Sequence, residues 1–104
     1  MSQIKVGCLQ LQLKKNDNFE LVKEKILNFK QDECNIIVLS ELCVGGPGAS
    51  NTEYYLDNYQ DKFSAIAKEL NTWLIPGTFY EQVNDQVFNV APVFNPEGKI
   101  IQKC

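Results

Sequence analysis

The stretch Asn35-Ile36-Ile37-Val38-Leu39-Ser40-Glu41-Leu42-Cys43-Val44-Gly45-Gly46-Pro47-Gly48 decides how this chain is read. Its first part, Asn35 to Ser40, is an apolar run without alternation, which suits a parallel strand buried on both faces. Its last part is a loop with three glycines and a proline. Glu41 stands between them. A carboxylate at the end of a buried strand is a poor choice for stability, because buried charge is costly. It is a natural place for chemistry, because ligands of open α/β sheets bind in the crevice beyond the carboxyl ends of the strands. Burial there would raise the carboxyl pKa toward the working range of a general base. The plainer alternative is a solvated strand-end glutamate that caps the loop.

Upstream, Ile4 to Leu13 is apolar and partly alternating and reads as the first strand. Asn16-Asp17 offers a helix cap, with Glu20 three residues after Asp17. Phe19, Val22, Ile26 and Phe29 then recur at helical spacing, giving an amphipathic helix of about four turns that ends near Glu33. Downstream, residues 42–57 are irregular. A loop of that length is more often functional than idle. A second helix is expected from Asn58 to Leu70, with Phe63, Ile66, Ala67 and Leu70 facing inward. Thr72 to Glu81 reads as a third strand carrying Gly77, whose lack of a side chain suggests a bulge or a close backbone approach. A turn at Val83-Asn84-Asp85-Gln86 leads to a fourth, antiparallel strand from Val87 to Phe94. Asn95-Pro96-Glu97-Gly98 is a strong turn signal, and Lys99 to Cys104 begins a fifth strand. The order is β-α-β-α-β-β-β in one α/β domain with a mixed sheet. The last residue falls inside an expected strand, so residues 1–104 read as an incomplete domain.

Composition narrows the function. The chain has 104 residues, 44% hydrophobic and 22% charged, as in ordinary globular domains. The net charge is −3, with ten lysines and no arginine, which disfavours nucleic acid as a partner. There is no histidine, so the commonest metal ligand and the commonest general base are both absent. Cys8, Cys34, Cys43 and Cys104 make no C-x-x-C pair, and no apolar run is long enough to cross a membrane. A cytoplasmic setting with free thiols is the expectation.

The segments Ile4-Lys5-Val6-Gly7-Cys8-Leu9-Gln10, Ile37-Val38-Leu39-Ser40-Glu41-Leu42 and Ala67-Lys68-Glu69-Leu70-Asn71 resemble the nitrilase superfamily of carbon–nitrogen hydrolases. So do Ile75-Pro76-Gly77-Thr78-Phe79-Tyr80-Glu81, Phe88-Asn89-Val90-Ala91 and Phe94-Asn95-Pro96-Glu97-Gly98-Lys99-Ile100, in the family's order and across the whole chain. The resemblance implies part of an α-β-β-α sandwich. It also implies hydrolysis of a non-peptide C–N bond in a small amide, nitrile or carbamoyl compound by a cysteine thiolate, with no metal or organic cofactor. Glu41 falls at the general base, after Ser40 where the family usually has proline. The family's lysine and nucleophilic cysteine would lie beyond residue 104, and Cys104 falls where many relatives have tyrosine. The chain by itself is therefore expected to be inactive. Homo-oligomers are expected, since relatives commonly pair.

Other candidates have plainer readings. Cys43 could share a side with Glu41 if the chain stays extended, but free cysteines are commonly buried hydrophobes, and the same holds for Cys8 and Cys34. Gly45-Gly46-Pro47-Gly48 lacks the spacing of a phosphate-binding loop. Asn89 interrupts an apolar strand, and a buried amide there would tie neighbouring backbone groups together or touch substrate. Tyr54, Tyr55 and Tyr59 could line a pocket mouth or pack under the loop. Two further hypotheses are a non-catalytic truncated α/β module that self-associates or binds a partner, and a flavodoxin-like domain. The hairpin and the Asn95–Gly98 turn argue against the second.

Overall fold

In the computed structural model, residues 4–9, 11, 13, 17–29 and 34–104 are described. The element order is β1 (Val6–Leu9), α1 (Phe19–Phe29), β2 (Ile36–Leu39), α2 (Gln60–Leu70), β3 (Trp73–Ile75), β4 (Phe79–Val83), β5 (Gln86–Val90), β6 (Pro92–Phe94) and β7 (Ile100–Lys103). The main sheet runs β1-β2-β3-β6-β7. Strands β1, β2 and β3 are parallel, and β6 and β7 are added antiparallel. This is the mixed α/β sheet expected from the sequence.

The chain steps from β1 to β2 to β3 in one direction across the sheet. Right-handed crossovers therefore put both helices on the same face. Val22 and Ile26 of α1 and Phe63, Ile66 and Ala67 of α2 join Ile37, Leu74 and Phe94 of the sheet in one core. Gly7 lets α1 approach β1, since a Cβ there would stand 1.9 Å from the Phe29 ring. The opposite sheet face is open, with Val6 54% exposed and Ile101 53% exposed. Accordingly β2 alternates between half-buried and buried residues, rather than being buried on both faces as its apolar run suggests.

Three element boundaries differ from the expectation. Asn18, not Asp17, directly precedes α1, and its backbone N–H donates to the Val44 carbonyl at 2.8 Å. Asp17 is in the left-handed conformation. Asn16, and the expected helix end at residues 30–33, lie outside the described residues. Of the expected first strand only Val6–Leu9 pairs among the described residues, while Leu11 and Leu13 pack against the core. Residues 52–54 and 56–58 form single 3-10 turns, so α2 starts at Gln60.

The larger difference is that the expected third and fourth strands each split. Pro76 has no N–H to give a ladder and Gly77 has a φ of +80°, so the chain leaves the main sheet after Ile75. Strands β4 and β5 form a separate two-stranded sheet, and the chain rejoins the main sheet at Pro92 beside β3. The Lys103 ammonium bonds the Glu81 carboxylate at 2.7 Å and ties β7 to this hairpin. The tight turn at Asn95–Gly98 forms as expected, with Asn95 Oδ1 accepting from the backbone N–H groups of Glu97 and Lys99.

Candidate active site

The candidate site is built on the turn that follows β2. Leu39 is buried and ends the strand, and Glu41 opens a turn closed by the Gly46 N–H donating to the Leu42 carbonyl at 2.9 Å. Leu42 has a φ of +50°. A left-handed conformation costs a residue with a Cβ roughly 1–2 kcal/mol, and it persists only where the surroundings over-determine it.

Those surroundings are the β3–β4 connection and the start of α1. The Leu42 N–H donates to Thr78 Oγ1 at 3.0 Å, and the Cys43 thiol donates to the Pro76 carbonyl at 3.3 Å. The Val44 carbonyl accepts from both the backbone N–H and the carboxamide of Asn18. Gly77 faces the Ser40 carbonyl so closely that a Cβ would lie 2.1 Å from its oxygen. Only glycine satisfies both this approach and the positive φ. The interior glycine of the sequence thus marks a close backbone approach, and what it approaches is the turn carrying Glu41.

The hairpin reaches the same turn from the other side. Asn89 donates from Nδ2 to Glu41 Oε2 at 2.9 Å. Tyr80 is the cross-strand partner of Asn89, so both side chains project from one face of the hairpin. The Gly48 N–H donates to the Tyr80 hydroxyl at 3.4 Å. Tyr55 donates its hydroxyl proton to the Ala49 carbonyl, and its ring lies 6.1 Å from that of Tyr80. The 41–49 loop is therefore fixed along its length. The role expected for Asn89 is corrected in its partner: the amide is exposed, and it bonds the Glu41 carboxylate rather than neighbouring backbone.

Glu41 is exposed, contrary to the burial expected at a strand end, because residues 1–104 leave the sheet face beside it open. Cys43, two positions on, is 1% exposed and directed away to Pro76. Burial pushes its thiol up to about 12, so it is a packed thiol and not a nucleophile. Cys34 is buried too, but Cys8 is exposed, against expectation, since β1 turns it to the uncovered sheet face. Tyr54 and Tyr59 belong to the aromatic packing under the loop. A Cβ on Gly45 would stand 2.3 Å from the Cβ of Tyr54, and the Tyr59 ring lies 5.6 Å from Phe19 and 6.1 Å from Phe79. Among the described residues no group of three or more Cys, Asp or Glu side chains could hold a metal ion, and no helix is long and apolar enough to cross a membrane.

Thr78, Gly77 and Asn89 are the members of this arrangement whose link to Glu41 was not legible. Gly77 carried a signal, as an interior strand glycine. The polar Asn89 at an apolar strand carried another, and only the topology could supply its partner.

The profile of the carbon-nitrogen hydrolase family matches residues 5–104. The chain belongs to this family. It is 29% identical over 105 residues to a Schizosaccharomyces pombe hydrolase, covering 93% of this chain and 33% of that protein. It is also 29% identical over 112 residues to the mouse omega-amidase, covering 99% of this chain and 40% of that protein. A solved nitrilase-superfamily member from Saccharomyces cerevisiae superposes with a TM-score of 0.82 at 22% identity, covering 97% of this chain and 43% of the yeast chain. The fold is thus that of nitrilase-superfamily proteins. The chain spans between a third and two-fifths of the length of these curated relatives.

Proposed function

We propose that this chain is the N-terminal part of a hydrolase that cleaves the C–N bond of a small amide, with Glu41 as its general base. The observation that carries the reading is the construction around Glu41. A left-handed Leu42, a glycine that admits the Ser40 carbonyl and a carboxamide on Oε2 converge on one carboxylate at the end of a central parallel strand. Stored strain and convergent hydrogen bonds of this kind cluster at functional sites. Membership of the carbon-nitrogen hydrolase family and the likeness to an amidase support the reaction class.

In the reaction the resemblance implies, a cysteine outside residues 1–104 gives its thiol proton to Glu41. The thiolate attacks the amide carbon and a lysine, also outside, stabilises the tetrahedral oxyanion. The amine leaves with the proton held by Glu41. Water, deprotonated by Glu41, then hydrolyses the thioester. Residues 1–104 alone supply the base only, so the chain alone turns over no amide. The remainder of the protein would cover the open sheet face and desolvate Glu41. The reading also takes a reducing, cytoplasmic setting, in which exposed thiols such as Cys8 and Cys104 stay reduced.

One observation favours a second reading. Apolar side chains stand on the uncovered face and the hairpin, with Trp73 36% and Phe88 46% exposed. A truncated module would bury them by self-association. The test is ammonia release from butyramide and succinamate by the intact gene product and by residues 1–104 separately. The proposal expects turnover by the intact protein alone. An intact gene product of 11.8 kDa that forms dimers and releases no ammonia would favour the second reading.

A further inference from the structure

The assignment of Glu41 leaves open what aims its carboxylate, and the described contacts give one answer. Glu41 is exposed, so burial in the core does not fix its side chain. A free glutamate rotates among staggered wells, and a general base must lie within hydrogen-bond reach of its proton. Among the described residues the hydrogen bond on its carboxylate comes from Asn89, and it engages Oε2. We propose that Asn89 is a positioning residue for Glu41: its carboxamide holds Oε2 and leaves Oε1 to take the proton. This rests on the reading of Glu41 as the base.

The placement of Asn89 supports more than a chance surface contact. It sits on β5, outside the sheet that carries Glu41, and reaches it across forty-eight positions of sequence. The chain leaves the main sheet at Pro76-Gly77 and returns at Pro92. The resulting hairpin faces the loop with Tyr80 and Asn89 side by side, the first accepting from Gly48 and the second donating to Glu41. The same excursion sets Gly77 and Thr78 against Ser40 and Leu42. One segment therefore fixes the backbone under Glu41 and, through Asn89, the carboxylate itself. An amide suits this task because it donates at neutral pH without bringing a charge that would compete for the proton.

The test is Asn89→Leu, which keeps the approximate volume and removes both donors, beside Asn89→Gln, which keeps the carboxamide on a longer arm. Each is made in the intact gene product and assayed for ammonia release from whichever of butyramide and succinamate it hydrolyses faster. We expect Asn89→Leu to lower kcat roughly tenfold with KM and melting temperature unchanged, as loss of one hydrogen bond to a charged group implies. We expect Asn89→Gln to recover part of that loss. Wild-type kcat in Asn89→Leu would overturn the proposal, as would a loss that tracks a lowered melting temperature or that Asn89→Gln does not relieve. Glu41→Gln separates the two claims. If that variant is inactive while Asn89→Leu is fully active, the positioning role fails and the base stands. If Glu41→Gln keeps full activity, the base itself is wrong. A readout free of turnover is the Asn89 side-chain amide proton resonance in the intact gene product. It should move on Glu41→Gln, and an unmoved resonance would overturn the proposal.

Discussion

Replacing Gly77 by alanine probes the support of Glu41 most sharply. Two separate effects add at this position. A φ of +80° is disfavoured for a residue with a Cβ by roughly 1–2 kcal/mol. The new Cβ would also stand 2.1 Å from the Ser40 carbonyl oxygen and 3.0 Å from the Cys43 sulfur. The first neighbour is backbone and cannot rotate away, so the β3–β4 connection must shift. Overpacking of this kind costs typically 1–3 kcal/mol. The sum, about 2–5 kcal/mol, is a large part of the stability of a small domain. With a urea m-value of about 1–3 kcal/mol/M, the unfolding midpoint of the chain should fall by roughly 0.7–5 M. Gly48→Ala is the comparison. It has a φ of +127°, but its nearest added contact is the Asn51 side-chain amide at 3.3 Å, so it should be milder. Fluorescence of Trp73 and far-UV circular dichroism followed in urea would measure both. A Gly77→Ala midpoint within 0.3 M of wild type, a threshold of about 0.5 kcal/mol, would refute the argument that the Ser40 carbonyl requires glycine.

Further outcomes follow from other contacts. Burial holds the Cys43 thiol near 12 in the folded chain, against 9.0 unfolded, so the unfolded state loses this proton first as pH rises. Stability is therefore fully present below pH 9 and should fall by up to about 1.4 kcal/mol per pH unit between 9 and 12. Burial raises the Tyr59 phenol in the same direction, so Cys43→Ala should flatten the fall only in part, as read by urea midpoints across that range. In a thiol-labelling assay under native conditions, Cys8 and Cys104 should react quickly and Cys43 only on unfolding. Asn71 ends α2 in the left-handed conformation with a φ of +51°, so Asn71→Ala should destabilise by about 1 kcal/mol in the same urea assay. Lys103→Ala should change stability by less than about 1 kcal/mol, because the Lys103–Glu81 pair is partly exposed.

What the sequence made legible was set by local chemistry. The 3.6-residue spacing of Phe19, Val22 and Ile26 and of Phe63, Ile66 and Ala67 reported real buried faces. The apolar run before Glu41 reported β2, the strand between β1 and β3. Asn95–Gly98 formed the turn its residues demand. The split at Pro76-Gly77 was not drawn, although both residues mark it. The continuous apolar pattern on either side matched a single strand, and pattern alone does not say which sheet a strand joins. The same limit hid the partner of Asn89, because a bond across two sheets exists only once the topology is known. The burial expected for Glu41 failed for a related reason. An apolar strand in a sequence implies two covered faces, and residues 1–104 supply helices for one.

Turnover by Glu41→Gln in the intact gene product tests the central claim most directly. The substitution removes the basic oxygen pair and keeps the volume of the side chain. With small primary amides as substrate, kcat should fall at least about a hundredfold, the range general acid–base groups supply, at an unchanged melting temperature. A Glu41→Gln enzyme that releases ammonia at the wild-type rate would contradict the assignment of Glu41 as the base.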